Sequence, residues 1–181
     1  MTRFVALFRG INVGKAKRIA MADLRAVLES LDYRDVKTLL NSGNAVFEGR
    51  VGPAAQHAQR IRSAVADKLG VDALVIVKSV DDVSAIVRAN PLAAAATDPS
   101  RFLVALTNDA KSLAKVASLA KERWGKEEIQ VGKHAAYIWC VNGILESKVA
   151  VALLKGLGET GTTRNWATIG KILGLLQQRA G

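Results

Sequence analysis

The side chains whose types could carry acid–base or nucleophilic chemistry are Lys15, Ser42, His57, His134 and Cys140. Ser42 sits in the turn Asn41-Ser42-Gly43-Asn44, and nothing near it in sequence supplies a base. It reads as a turn serine that bonds its own backbone. His57 falls on an exposed helix face and His134 at a hairpin, and Cys140 lies within an apolar strand as a core thiol. One cysteine and two histidines exclude an internal disulfide and an ordinary zinc site. No cofactor is implied, and an enzyme built on Ser42 or Lys15 would need distant residues to converge.

Anion binding is the chemistry these residue types favour. Gly10-Ile11-Asn12-Val13-Gly14-Lys15 resembles a phosphate loop superficially, but its glycines are one residue too close and Ala16 replaces the hydroxyl residue. Glycine-loop N–H groups beside Lys15, Lys17 and Arg18 suit an anion, and equally suit a plain solvated turn. Asn12, Asn41 and Asn44 offer hydrogen bonds to a ligand or serve as left-handed turn residues. Near the C-terminus, Thr162-Thr163-Arg164-Asn165-Trp166 reads as the capped start of a last helix and a second anion pocket. Lys148 and Lys171 add charge there, and Trp166 stacks on a ligand or anchors the helix. The expected ligand-binding set is therefore Arg9, Asn12, Lys15, Lys17, Asn41, Ser42, Asn44, Lys148, Arg164, Asn165 and Trp166.

Charge placement supports this expectation. Of the net +10, residues 1–22 carry +5 without an acid and residues 148–181, Arg179 included, carry +4. If the two ends meet in one hollow, their fields add; a merely solubilising surface has the same composition.

The elements that must position these residues follow from periodicity. Arg3–Arg9 predicts a strand apolar on both faces. Met21, Leu24, Val27, Leu28 and Leu31 recur at helical spacing. Strands at 36–40 and 45–48 form a hairpin, Pro53 opens a helix that Gly70 ends, and 71–78 is a fourth strand. This βαββαβ order predicts an α+β fold of the ferredoxin-like type. A helix carrying Val80, Val83 and Val87 and an alanine-rich connector at 92–100 follow. The pattern then returns: a strand at 102–107, one helix from Asn108 or Asp109 to Trp124, a hairpin turning at Gly132-Lys133, a helix at 144–157, and a final helix in place of the last strand. The expected organisation is 1–79 as one half, 80–100 as connecting helix and linker, and 101–181 as a second half with an extra C-terminal helix. Sheet faces left bare would be covered by the partner half, by extra helices or by a second chain.

Half the residues are hydrophobic, enough for a substantial core, and no apolar run is long enough to span a membrane or to serve as a secretory signal. A reducing cytoplasmic location is expected. Sequence-independent nucleic-acid binding is a second functional expectation, with Phe8 and Phe47 as the aromatics available for stacking.

Arg9-Gly10-Ile11-Asn12-Val13-Gly14, Met21 with Leu24, Asn41-Ser42-Gly43-Asn44 and Thr163-Arg164-Asn165-Trp166 together resemble the bacterial family called domain of unknown function 1697. Ser147-Lys148, following Trp139 and Asn142-Gly143, also resembles its pattern, whereas Ala167 and Cys140 depart from it. The resemblance implies two ferredoxin-like halves and marks these motifs as the positions that matter. It implies no particular activity, substrate or cofactor.

Overall fold

The structure is a computed structural model that describes residues 1–95 and 97–178; Ala96 of the connector and Arg179 lie outside the described residues. The chain forms two compact units, Met1–Asp81 with Ile172–Gly181, and Asp82–Lys171.

Unit 1 contains β1 (Thr2–Phe8), α1 (Met21–Glu29), β2 (Arg34–Leu39), β3 (Asn44–Gly49), α2 (Ala54–Leu69) and β4 (Val75–Ser79). Its sheet has the order β2-β3-β1-β4, and all its pairs are antiparallel. Strand alternation sends Phe4, Ala6 and Phe8 to one face. There they join Ala45, Phe47, Val75 and Val77 beneath Leu24, Val27 and Leu28 of α1 and Ala58, Ile61 and Val65 of α2. Val5, Leu7, Val46 and Ile76 on the opposite face are buried as well. Gly70 closes α2 in the left-handed conformation, its N–H bonded to the carbonyl of Ala66. Arg3 ties the unit together: Nε meets Glu48 at 3.1 Å, Nη2 meets Asp35 at 2.7 Å, and Nη1 donates to the carbonyl of Leu175 at 3.0 Å.

In unit 2, α3 (Val80–Arg88) leads to β5 (Phe102–Thr107), α4 (Ala110–Ala114), β6 (Glu128–Val131), β7 (Ala136–Trp139), α5 (Lys148–Leu157), β8 (Gly161–Asn165) and α6 (Trp166–Gln177). Val80 and Asp81 of α3 and the residues of α6 from Ile172 onward belong to unit 1. The strand order β6-β7-β5-β8 repeats that of the first sheet. Leu103, Ala105, Ala136 and Ile138 pack against Leu113 of α4, against Val116, and against Val149, Ala150 and Leu153 of α5. On the other face Tyr137 is fully buried, and its hydroxyl donates to the carbonyl of Ile86 in α3 at 2.7 Å. Burial without a charged partner pushes this phenol up to about 12. An extra helix thus covers part of the face that two helices alone would leave bare.

Three local expectations are corrected. Thr162 and Thr163 do not open the last helix: they lie in β8, which pairs with β5 through Leu106–Thr162 and Val104–Arg164. β-branched residues suit that pleated position, and the second half is therefore a complete βαββαβ followed by a helix. The helix expected from Asn108 or Asp109 to Trp124 breaks after one turn, and its continuation is a 3-10 segment at Ala117–Lys121. Val116 leaves helical geometry there and packs where α5 carries Gly156; a Cβ on that glycine would stand 2.8 Å from Val116 Cγ1. Finally, 144–157 is interrupted at Ser147, whose extended backbone and side chain cap α5 by accepting from the Ala150 N–H at 3.0 Å.

Candidate functional site

β1 ends at Phe8 and delivers the chain into a loop of residues 9–20 that returns to start α1. Four residues with positive φ, Gly10, Asn12, Gly14 and Lys17, reverse its direction. Ile11 and Ile19 are buried and anchor the two arms in the core, so the tip from Val13 to Arg18 stands exposed. The Asn12 side chain locks the arms together. Its Oδ1 accepts from the Ile19 N–H, and its Nδ2 donates to the Ile19 carbonyl and to the Asn41 carbonyl, each at 2.8 Å. The last bond joins the loop to the β2–β3 turn.

That turn is fixed from below. Asn44 is buried, and its Nδ2 donates to the Leu39 carbonyl at 2.8 Å and to Ser42 Oγ at 3.3 Å. Gly43 accepts from the Phe8 N–H at 2.9 Å, pressed so close to Phe8 and Ile11 that no side chain fits. Loop and turn hold three of the five non-glycine residues with positive φ among the described residues: Asn12, Lys17 and Leu40. A leucine in that conformation is strained, and strained backbone concentrates where function holds it in place.

Between loop and turn lies a cavity of about 370 Å³ lined by Asn12, Arg18, Ile19, Ala20, Met21 and Asn41. Ala20 stands at the N-cap of α1 and offers no capping side chain; the acid in the first turn is Asp23. Among the described residues, the first N–H groups of α1 therefore have no N-cap side chain as acceptor at the cavity wall. Arg18 Nη1 reaches back to the Gly14 carbonyl at 3.2 Å. Lys15 and Lys17 are exposed on the same tip. Arg9 enters the loop with its N–H bonded to the Leu74 carbonyl. Replacing Asn12 with alanine is expected to cost about 1.5 kcal/mol in urea unfolding and to remove hydrogen-exchange protection from the Ile19 amide. Unchanged protection would mean that Asn12 does not hold the loop.

The remaining expected residues belong to unit 2. Lys148 is the first residue of α5 and lines a separate depression with Trp124 and Lys126; the Val149 N–H there already donates to the Glu127 carboxylate at 3.2 Å. Arg164 is buried on β8, its Nη1 donating to Thr162 Oγ1 at 2.9 Å and to the Thr163 carbonyl at 2.7 Å. Burial pulls its pKa down to about 10, which leaves it charged at neutral pH. Asn165 caps α6 by accepting from the Thr168 N–H at 2.8 Å. Trp166 meets Phe102 edge-on at 5.4 Å.

Two further expectations change. Phe8 and Phe47 do not form a stacking platform, because both are buried in the helix-covered core of unit 1. His57 does not stand exposed on its helix face: it is half-buried, its ring nitrogens meet Tyr33 and Arg50, and it packs 4.5 Å from Phe4. Cys140 is a buried free thiol, pushed up chiefly by burial.

Comparison with known proteins adds three findings. A family model described as "Protein of unknown function (DUF1697)" matches residues 1–137. The structure of the conserved bacterial protein SP0830 from Streptococcus pneumoniae is similar, with a TM-score of 0.76 and 23% identity over 97% of this chain and 99% of that one, a likeness of fold. No curated protein matches the chain.

Proposed function

The chain belongs to the DUF1697 family of proteins of unknown function, and on that premise we propose that unit 1 binds a small anionic ligand, a nucleotide or another phosphorylated metabolite, in the loop–turn cavity. The observation that carries this reading is the lining of that cavity. Arg18, the uncapped start of α1 and the asparagines 12 and 41 surround a space of about 370 Å³. That volume lies at the lower end of the roughly 300–1,000 Å³ range of small-molecule pockets.

The anionic group is placed at the first N–H groups of α1 beside Arg18, where the helix dipole and the guanidinium act together. Asn41 and the remaining lone pair of Asn12 Oδ1 address the rest of the ligand, while Ser42 and Asn44 hold the turn. Arg9, Lys15 and Lys17 raise the local positive potential and speed the encounter. The work assigned to this chain is binding. Among the described residues no helix is long and apolar enough to cross a membrane. The free, buried Cys140 supports a reducing, cytoplasmic setting.

Calorimetric titration with a panel of nucleotides and sugar phosphates tests the reading. Saturable heat is expected for at least one member, weakened about tenfold by Arg18→Gln through loss of a charge-assisted contact. No heat from any member at millimolar concentration would remove the proposal.

A further inference from the structure

At the other end of the same sheet, where β3 leaves for α2, a second depression of about 150 Å³ is lined by Leu31, Asp32, Tyr33, Arg50, His57 and Arg60. Its floor is aromatic: Tyr33 lies 4.3 Å from Phe47, and His57 lies 4.5 Å from Phe4. Gly49 leaves room for both polar rings, since a Cβ there would stand 3.2 Å from Tyr33 and 3.4 Å from His57.

The polar atoms on this floor are held in one arrangement. His57 Nε2 lies 3.1 Å from the Arg50 carbonyl, which can only accept, so Nε2 carries the proton. In the neutral ring Nδ1 is then an acceptor, and the Tyr33 hydroxyl 2.8 Å away donates to it. Arg60 stands over the Tyr33 ring, its guanidinium carbon 5.5 Å from the ring centre. His57 is held below its usual pKa first by burial and then by the Arg60 charge, while its bond to Arg50 acts in the opposite sense. Arg50 and Arg60 are both exposed, and among the described residues neither pairs with a carboxylate. Asp32 is the single acid among the lining residues, against two arginines.

We infer that this depression is a second binding site, separate from the loop–turn cavity, for one tetrahedral oxyanion of the phosphate class held between Arg50 and Arg60. Its volume is below the roughly 300 Å³ at which small-molecule pockets begin, so it takes a single anionic group. Guanidinium donors match the spacing of tetrahedral oxygens and resist deprotonation. A bound anion offsets the Arg60 charge felt by His57 and therefore favours the imidazolium. By linkage, the anion binds more tightly as pH falls through the titration of His57. The groups that set this response are Arg50 from the β3–α2 connection, Arg60 from α2, and Asp32 and Tyr33 from the segment after α1.

The His57 ring signals, followed by NMR, report on this site and not on the loop–turn cavity. Sulfate is the probe, because its charge stays constant across the pH range, and chloride at equal ionic strength is the control. The expected result is a saturable change with sulfate, an upward move of the His57 titration midpoint, and about tenfold weaker binding in Arg60→Gln. Arg50→Gln provides a second exposed substitution with the same expected loss, and Arg18→Gln is expected to leave the response intact. A non-saturating response, equal shifts in chloride, or full binding in both Arg60→Gln and Arg50→Gln would overturn the inference, whatever the outcome of the nucleotide titrations.

Discussion

Replacing Gly43 with alanine is expected to lower the unfolding free energy by about 3 kcal/mol, combining left-handed backbone strain with overpacking. Gly43 has φ +89°, and an added Cβ would stand 2.6 Å from Ile11 Cδ1 and 2.8 Å from Phe8 Cβ. The Ile11 methyl belongs to a side chain that can turn. Phe8 Cβ is fixed to the backbone of β1 and cannot move without shifting the Phe8 N–H bond to the Gly43 carbonyl. The turn must therefore lift, which draws the Asn41 carbonyl away from Asn12. The same substitution is expected to abolish binding in the loop–turn cavity at concentrations that saturate the wild type. Equilibrium urea unfolding and calorimetry measure the two effects; a loss of stability below about 1 kcal/mol would show that the turn accommodates a side chain.

Arg3→Met is the second large effect, expected to cost about 2 kcal/mol. Removing one partner of a fully buried pair costs roughly 3–5 kcal/mol, while exposed pairs contribute at most about 1 kcal/mol. This network lies between those limits, since Arg3 is 10% exposed while Asp35 and Glu48 are 30% and 23% exposed. Methionine keeps much of the apolar stem, so the measured loss belongs mainly to the guanidinium. Because Arg3 is nearly enclosed, much of the effect should persist in 1 M salt, where exposed pairs are screened. A difference from wild type that vanishes at high salt would identify the network as an exposed one.

The fold was legible in the sequence wherever one periodicity governed a whole element. Phe4, Ala6 and Phe8 alternate as a strand must, and Leu24, Val27 and Leu28 recur as a helix must; each group is found in the core of unit 1. Reading failed where two local signals competed. Thr162 and Thr163 fit a helix cap and a strand equally well, and pairing with β5 decided for the strand. The break after Ala114 depends on the approach of Val116 to Gly156, forty residues onward, which no local pattern encodes. The candidate site divides the same way. Asn12 and Asn41 are marked by turn chemistry, and the structure joins them directly. The Tyr33–His57 pair is brought together by packing across 24 residues of sequence, and neither residue is distinctive alone.

The bond from Arg3 to the carbonyl of Leu175 bears on how the protein is made. β1 leaves the ribosome with its arginine awaiting an acceptor that follows the whole of unit 2. Unit 1 can assemble its sheet early, yet it closes only after all of unit 2 has emerged. The nascent chain therefore carries an incompletely tied unit 1 throughout the synthesis of unit 2, and the return of α6 is what secures β1.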